Sequence, residues 1–121
     1  MQALRERDEM YVRAGQGGEL IPYMAGHELC RSGHSWGPGI RDYYLLHYIR
    51  KGRGVFRANG REYHLSAGQV FFIFPENISH YIADDADPWE YYWIGFGGGK
   101  AALLLGQAGV VLENPILTCK E

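Results

Sequence analysis

Asn59-Gly60 is the feature that most restricts how this chain can fold. Both residues accept a positive φ. Such a pair closes a two-residue type I′ hairpin, whose twist matches that of the strands it joins. Short segments with strand character flank it, Val55–Ala58 and Arg61–Leu65. A chain with this turn at its middle is committed to antiparallel pairing there.

The neighbouring segments have the same texture. Asp42–Arg50 (DYYLLHYIR) is aromatic and branched, and too short for a helix of its own. Gln69–Phe74 is wholly apolar and stops at Pro75. His80–Ala83 and Trp89–Phe96 follow, separated by the acidic turn Asp84–Pro88. Leu20–Cys30 holds a first strand interrupted by Pro22 and Gly26. Arg31–Gly39, punctuated by Gly33, Gly37, Pro38 and Gly39, reads as a loop. Residues 1–19 are polar, end in a glycine-rich stretch (Gly15, Gly17, Gly18), and read as a flexible arm. Lys100–Gln107 is rich in helix formers and predicts a C-terminal helix. Seventeen glycines and 14% aromatic residues suit many short strands with tight turns. The expected fold is therefore mainly all-β. It is a small antiparallel double-stranded β-helix barrel of the cupin or jelly-roll type over residues 20–99, with a helical region over 100–121.

Charge and cysteine content exclude several functions. The net charge is −2, whereas a domain that grips phosphates is usually basic, because much of its affinity comes from counterion release. The local cluster of Arg50, Lys51, Arg53, Arg57 and Arg61 reads as solvated side chains around the hairpin. Cys30 and Cys119 form no CxxC motif and suggest no disulfide framework. No apolar run is long enough to span a bilayer, and Met1–Arg13 lacks the apolar core of a signal peptide. The expectation is a cytoplasmic protein with no membrane partner.

Four strings occur in order: RDYYLLHYIRKGRGVF from Arg41, NGREYHLSAGQ from Asn59, VFFIFPENISHYI from Val70 and DPWEYYWIGF from Asp87. Together they resemble the N-terminal, cupin-type effector-binding domain of AraC-type bacterial transcription regulators, especially those near sugar-utilisation operons. The resemblance implies a small-molecule effector, a mono- or oligosaccharide. It also implies dimer helices and a domain with two helix-turn-helix motifs beyond Glu121, through which DNA would be bound. By the same resemblance Trp93 and Tyr81 would contact the sugar. Tyr91 stands where the family's arabinose sensor has a pocket histidine, and Arg41 substitutes for its arginine.

The residues themselves support part of this. Along Trp89–Phe96, Tyr91, Trp93 and Gly95 share one face, and Tyr92, Ile94 and Phe96 share another, apolar one. Aromatic rings with polar tips suit sugars, because a pyranose C–H face packs on a ring while hydroxyls bond to its tip. Filling of the barrel by these rings is the alternative. A cupin metal site needs an H-x-H pair, a Glu and a later His. His34-Ser35-Trp36 has Trp in place of the second His, and Tyr44 stands near the Glu position. Only His80 matches the later His, so no metal and no cofactor are expected. His80 then reads as a hydrogen-bonding residue in the pocket or turn. A small sugar isomerase or epimerase, with His80 or Tyr81 as proton carrier, is the competing function. A purely dimerising module with a filled barrel is a third. Leu103, Leu104 and Leu105 cannot all face one core, and one of them is expected to face a partner subunit.

Overall fold

The computed structural model describes residues 7–11 and 20–119. The chain order is β1 (Arg7–Tyr11), β2 (Ile21–Leu29), β3 (Ser35–Gly39), β4 (Tyr44–Lys51), β5 (Arg53–Ala58), β6 (Arg61–Ser66), β7 (Gln69–Ile73), β8 (Ser79–Ala83), β9 (Glu90–Gly97), α1 (Ala101–Gln107) and β10 (Ile116–Thr118). Two antiparallel sheets result. One has the order β1-β2-β9-β4-β7-β10 and the other β3-β8-β5-β6. No helix among the described residues is long and apolar enough to cross a membrane.

The hairpin forms as its sequence demands. Asn59 and Gly60 have φ of 53° and 72°, and Ala58 pairs with Arg61. Each strand expected from the sequence is present. Three others have no local signal. Arg31–Gly39 is not all loop: Ser35–Gly39 pairs with β8 despite its glycines and proline. Part of the expected arm is also an edge strand, since Arg7–Tyr11 pairs with Met24–Glu28. Residues 1–6 and 12–19 of that arm lie outside the described residues. Among the described residues of the 100–121 region, only Ala101–Gln107 is helical. Ile116–Thr118 returns to the sheet and pairs with Gln69–Phe71.

The main core lies between the sheets. Leu45, Ile49, Phe71, Ile73 and Trp93 enter it from the larger sheet, and Phe56, Leu65, Tyr81 and Ala83 from the smaller one. Phe56, Phe71, Ile49 and Trp89 are fully buried and fill one end. The second cluster, Val70, Phe72, Phe96, Ala101 and Val110, packs α1 against the outer face of the larger sheet. Tyr92, Ile94 and Phe96, the apolar face of the last clear strand, lie on that outer side. Only Phe96 is buried, while Tyr92 and Ile94 are exposed, because α1 is two turns long and reaches no further. Leu105 packs inward on this cluster, whereas Leu103 and Leu104 are exposed. The basic side chains around the hairpin are exposed and paired at the surface, Arg53 with Asp84 and Arg57 with Glu62. Exposed pairs of this kind contribute about 0–1 kcal/mol each.

Candidate functional site

Strand alternation decides which side chains meet between the sheets. Gly26 on β2, Trp93 on β9, His47 on β4 and Phe71 on β7 stand opposite one another in register. The next inward rank carries Glu28, Tyr91 and Ile49. Tyr81 projects from β8 on the facing sheet. At the end away from Trp89 and Phe56 these ranks do not close. They leave a pocket of about 390 Å³ lined by Arg7, Glu28, Arg41, His47, Tyr81, Tyr91 and Trp93, with Trp36 and His34 at its side. The volume lies in the range of small-molecule sites, roughly 300–1,000 Å³. Filling and pocket thus coexist, one at each end of the fold.

Backbone bareness makes the Trp93 wall. A Cβ on Gly26 would fall 2.0 Å from Trp93 Cζ2 and 2.4 Å from Cε2. The indole therefore lies flat on the β2 backbone, with the Arg7 guanidinium 5.0 Å above its ring. Across the pocket, Trp36 stacks on Tyr81 with centroids 5.8 Å apart. Arg41 lies over Trp36 at 3.9 Å and donates to the Tyr43 hydroxyl at 2.9 Å.

His47 is the residue that sequence reasoning undervalued. It is 1% exposed, stacked on Phe71 at 4.4 Å, and edged by Tyr81 and Tyr91. Burial, with the nearby Arg41 charge as a lesser cause, holds its imidazole neutral, well below the usual range. Burial likewise pushes the Tyr81 and Tyr91 phenols up, so both remain protonated donors. Among the described residues five buried side-chain polar atoms lack a partner, and two of them, Arg41 Nε and His47 Nδ1, belong to this pocket. Leaving such an atom unpaired costs about 1–3 kcal/mol, which a bound ligand can recover.

Four of the five ligand residues expected from the sequence converge here: Trp93, Tyr91, Tyr81 and Arg41. His80 does not. It is the outward neighbour of Tyr81 on β8 and bonds the Arg57 guanidinium at 3.1 Å on the exterior. A proton carrier at His80 cannot reach this pocket. The cupin-type metal pattern is not assembled either. Trp36 stacks as a wall, Tyr44 packs on Phe74 and Phe96 in the second cluster, and His80 faces out. Those positions do not fit a metal. A different donor set, Glu28, Cys30 and His34, gathers at the pocket rim. The i, i+2 spacing of Tyr43, Leu45 and His47 marks His47 as inward once Leu45 is known to be core. Trp36 and His34 had no comparable signal, because β3 and its turn read as loop.

Comparisons with known proteins agree with this architecture. Residues 21–121 match the family described as AraC-like ligand binding domain. The chain is 44% identical over 86 residues to the Msm operon regulatory protein of Streptococcus mutans serotype c, covering 70% of this chain and 31% of that protein. Over 76 residues it is 40% identical to the raffinose operon transcriptional regulatory protein RafR of Pediococcus pentosaceus, covering 61% and 27%. It is 33% identical over 73 residues to the lactose operon transcription activator of Staphylococcus xylosus, covering 60% and 26%. The matched stretch thus spans a third or less of each relative's length. In fold it is similar to YhaK from Escherichia coli, with TM-score 0.70 at 14% identity over 94% of this chain and 51% of the other. A cupin protein from Bacteroides fragilis aligns with TM-score 0.62 at 16% identity over 82% and 83%. With a family match over residues 21–121 and a cupin-like pair of sheets, this chain belongs to the AraC-like ligand binding domain family.

Proposed function

We propose that this chain is the effector-sensing part of a bacterial transcription regulator, and that its effector is a mono- or oligosaccharide held non-catalytically in the pocket. One observation carries the reading: two partnerless buried polar atoms, on Arg41 and His47, in a pocket walled by Trp36, Trp93, Tyr81 and Tyr91. Sugar C–H faces pack on the indoles, and hydroxyls bond the phenols, the imidazole and the guanidinium. Raffinose and lactose operon regulators among the relatives point the same way. Binding would act by shifting an equilibrium between conformations rather than by chemistry. Arg7 is suited to report it, because it touches both Trp93 and Glu28 from the edge strand. Leu103 and Leu104 are the apolar side chains that α1 offers a second copy.

The test is a thermal-shift screen of the purified chain over mono-, di- and trisaccharides, followed by calorimetry. A saccharide is expected to bind saturably, and His47→Leu is expected to weaken it tenfold or more in a still-folded protein, which is about 1.4 kcal/mol. A screen without any stabilising saccharide, or a hit indifferent to His47→Leu, overturns the proposal.

The chain by itself is not expected to bind DNA at physiological salt. Its net charge is −2, and α1, the one helix among the described residues, has no basic residue between Ala101 and Gln107. A sequence-specific gel shift by this 121-residue chain would contradict that expectation.

A further inference from the structure

The rim of the pocket carries a second constellation that the sugar reading does not use. Glu28 and Cys30 stand two residues apart at the end of β2, so their side chains leave on the same side. His34 follows from the turn into β3. One donor atom from each, a carboxylate oxygen, the thiol sulfur and an imidazole nitrogen, lies within 4.8 Å of the other two. We propose that Glu28, Cys30 and His34 form a binding site for a thiophilic divalent cation of the zinc class, with its remaining position open to the pocket.

Geometry supports the assignment. The centre of a triangle with sides of at most 4.8 Å lies no more than about 2.8 Å from its corners. Zinc bonds to these atom types measure roughly 2.0–2.3 Å. Closing from that distance to the donor separations of a tetrahedral zinc site takes a movement of roughly 0.5–0.8 Å per side chain. The backbone beneath the donors is already fixed from both sheets. Cys30 N–H donates to the Trp89 carbonyl at 3.2 Å, His34 N–H to Arg31 at 3.0 Å, and Ala83 N–H to the His34 carbonyl at 2.8 Å. Three donors of mixed thiolate, imidazole and carboxylate type suit zinc or cobalt better than magnesium or calcium. Glu28 and His34 both line the cavity, so water or an effector oxygen can complete the coordination.

Electrostatics set the terms of binding. Glu28 faces Arg7 at 3.4 Å and His34 at 3.7 Å, and a cation must compete with Arg7 for that carboxylate. Burial pushes the Cys30 thiol up to about 12, opposed in lesser part by hydrogen bonding with Tyr91. Without a cation it is a neutral thiol. Coordination breaks the S–H bond, forms the metal–sulfur bond and releases one proton to solvent.

The test uses Co²⁺ and Zn²⁺ alone on the full chain carrying Cys119→Ser, which removes the exposed second thiol. Cobalt is expected to bind one per chain with a thiolate-to-metal absorption band, which zinc then bleaches. Cys30→Ser should abolish the band, and His34→Gln, at a half-exposed turn position, should weaken binding tenfold or more. Near-UV circular dichroism verifies that both variants fold. Absence of saturable one-to-one binding, or a band unchanged in both folded variants, overturns the site. Because the readout involves no saccharide, it fails or succeeds independently of the effector proposal.

Discussion

Trp89→Ala is expected to cost about 3–5 kcal/mol of stability, the range for emptying a large aromatic from a packed core. Trp89 is fully buried at the filled end of the fold, packed against two residues that line the pocket, Tyr81 and Tyr91. Its ring packs against Phe71 at 5.4 Å, Tyr91 at 6.0 Å and Tyr81 at 6.4 Å. Domains of this kind carry roughly 5–15 kcal/mol in total, so one substitution removes much of the margin. The same seat can be disturbed from beneath. A Cβ on Gly54 would fall 2.5 Å from the Trp89 ring and 2.6 Å from the Ile82 carbonyl oxygen. The carbonyl belongs to a paired strand and cannot yield cheaply, so Gly54→Ala should also destabilise strongly. Urea unfolding followed by tryptophan fluorescence and circular dichroism measures both. A Trp89→Ala midpoint within experimental error of the unaltered protein, at unchanged slope, would show that this ring does not hold the core.

Effector binding should be lost when the Trp93 wall is moved, even though no ligand-contacting atom is removed. Gly26→Ala places a methyl carbon inside the indole's present position, 2.0 Å from Cζ2. The ring must lift off β2 and into the pocket. The expected result is at least a tenfold loss of saccharide affinity, about 1.4 kcal/mol or more. Trp93→Phe is expected to weaken binding by about 1 kcal/mol, through lost stacking area and the lost indole N–H donor. The two changes touch one another, so they should not add. A phenyl ring is shorter than an indole and leaves room for the new methyl. The double variant should therefore bind better than the sum of the single losses predicts. Calorimetry on all four proteins closes the cycle. Gly26→Ala binding with unaltered affinity would remove Trp93 from the site, whatever its effect on stability.

Local chemistry made the strands and the central turn legible. Asn59-Gly60 needs no tertiary partner to favour positive φ, and Asp42–Arg50 or Trp89–Phe96 declare strands by their own composition. Four family-like strings in order pointed to the AraC-like fold for the same reason: they are continuous in sequence. Face alternation within β9 correctly grouped Tyr91 with Trp93. What it could not supply was the neighbour across the sheet. Gly26 matters only because the register sets it opposite Trp93, and a shift of one residue would have turned every side chain to the other face. The same parity sends Tyr81 into the pocket and His80 out to Arg57.

Edge strands β1, β3 and β10 were invisible for a related reason. Each is short, and each is held by hydrogen bonds to a strand remote in sequence rather than by its own propensity. His47 was seen as a strand residue, but its worth depends on Arg41, Phe71, Tyr81 and Tyr91 converging around it. Glu28, Cys30 and His34 span only seven residues. Their meeting still required the turn between β2 and β3 to be pinned to Trp89, just before β9, and to Ala83 at the end of β8. Sequence by itself therefore determined the other seven strands and the central turn, the fold family and the aromatic strand that walls the pocket. Tertiary structure decided which end of the fold is filled and which polar atoms are left facing the opening, because both depend on long-range register that no local pattern encodes.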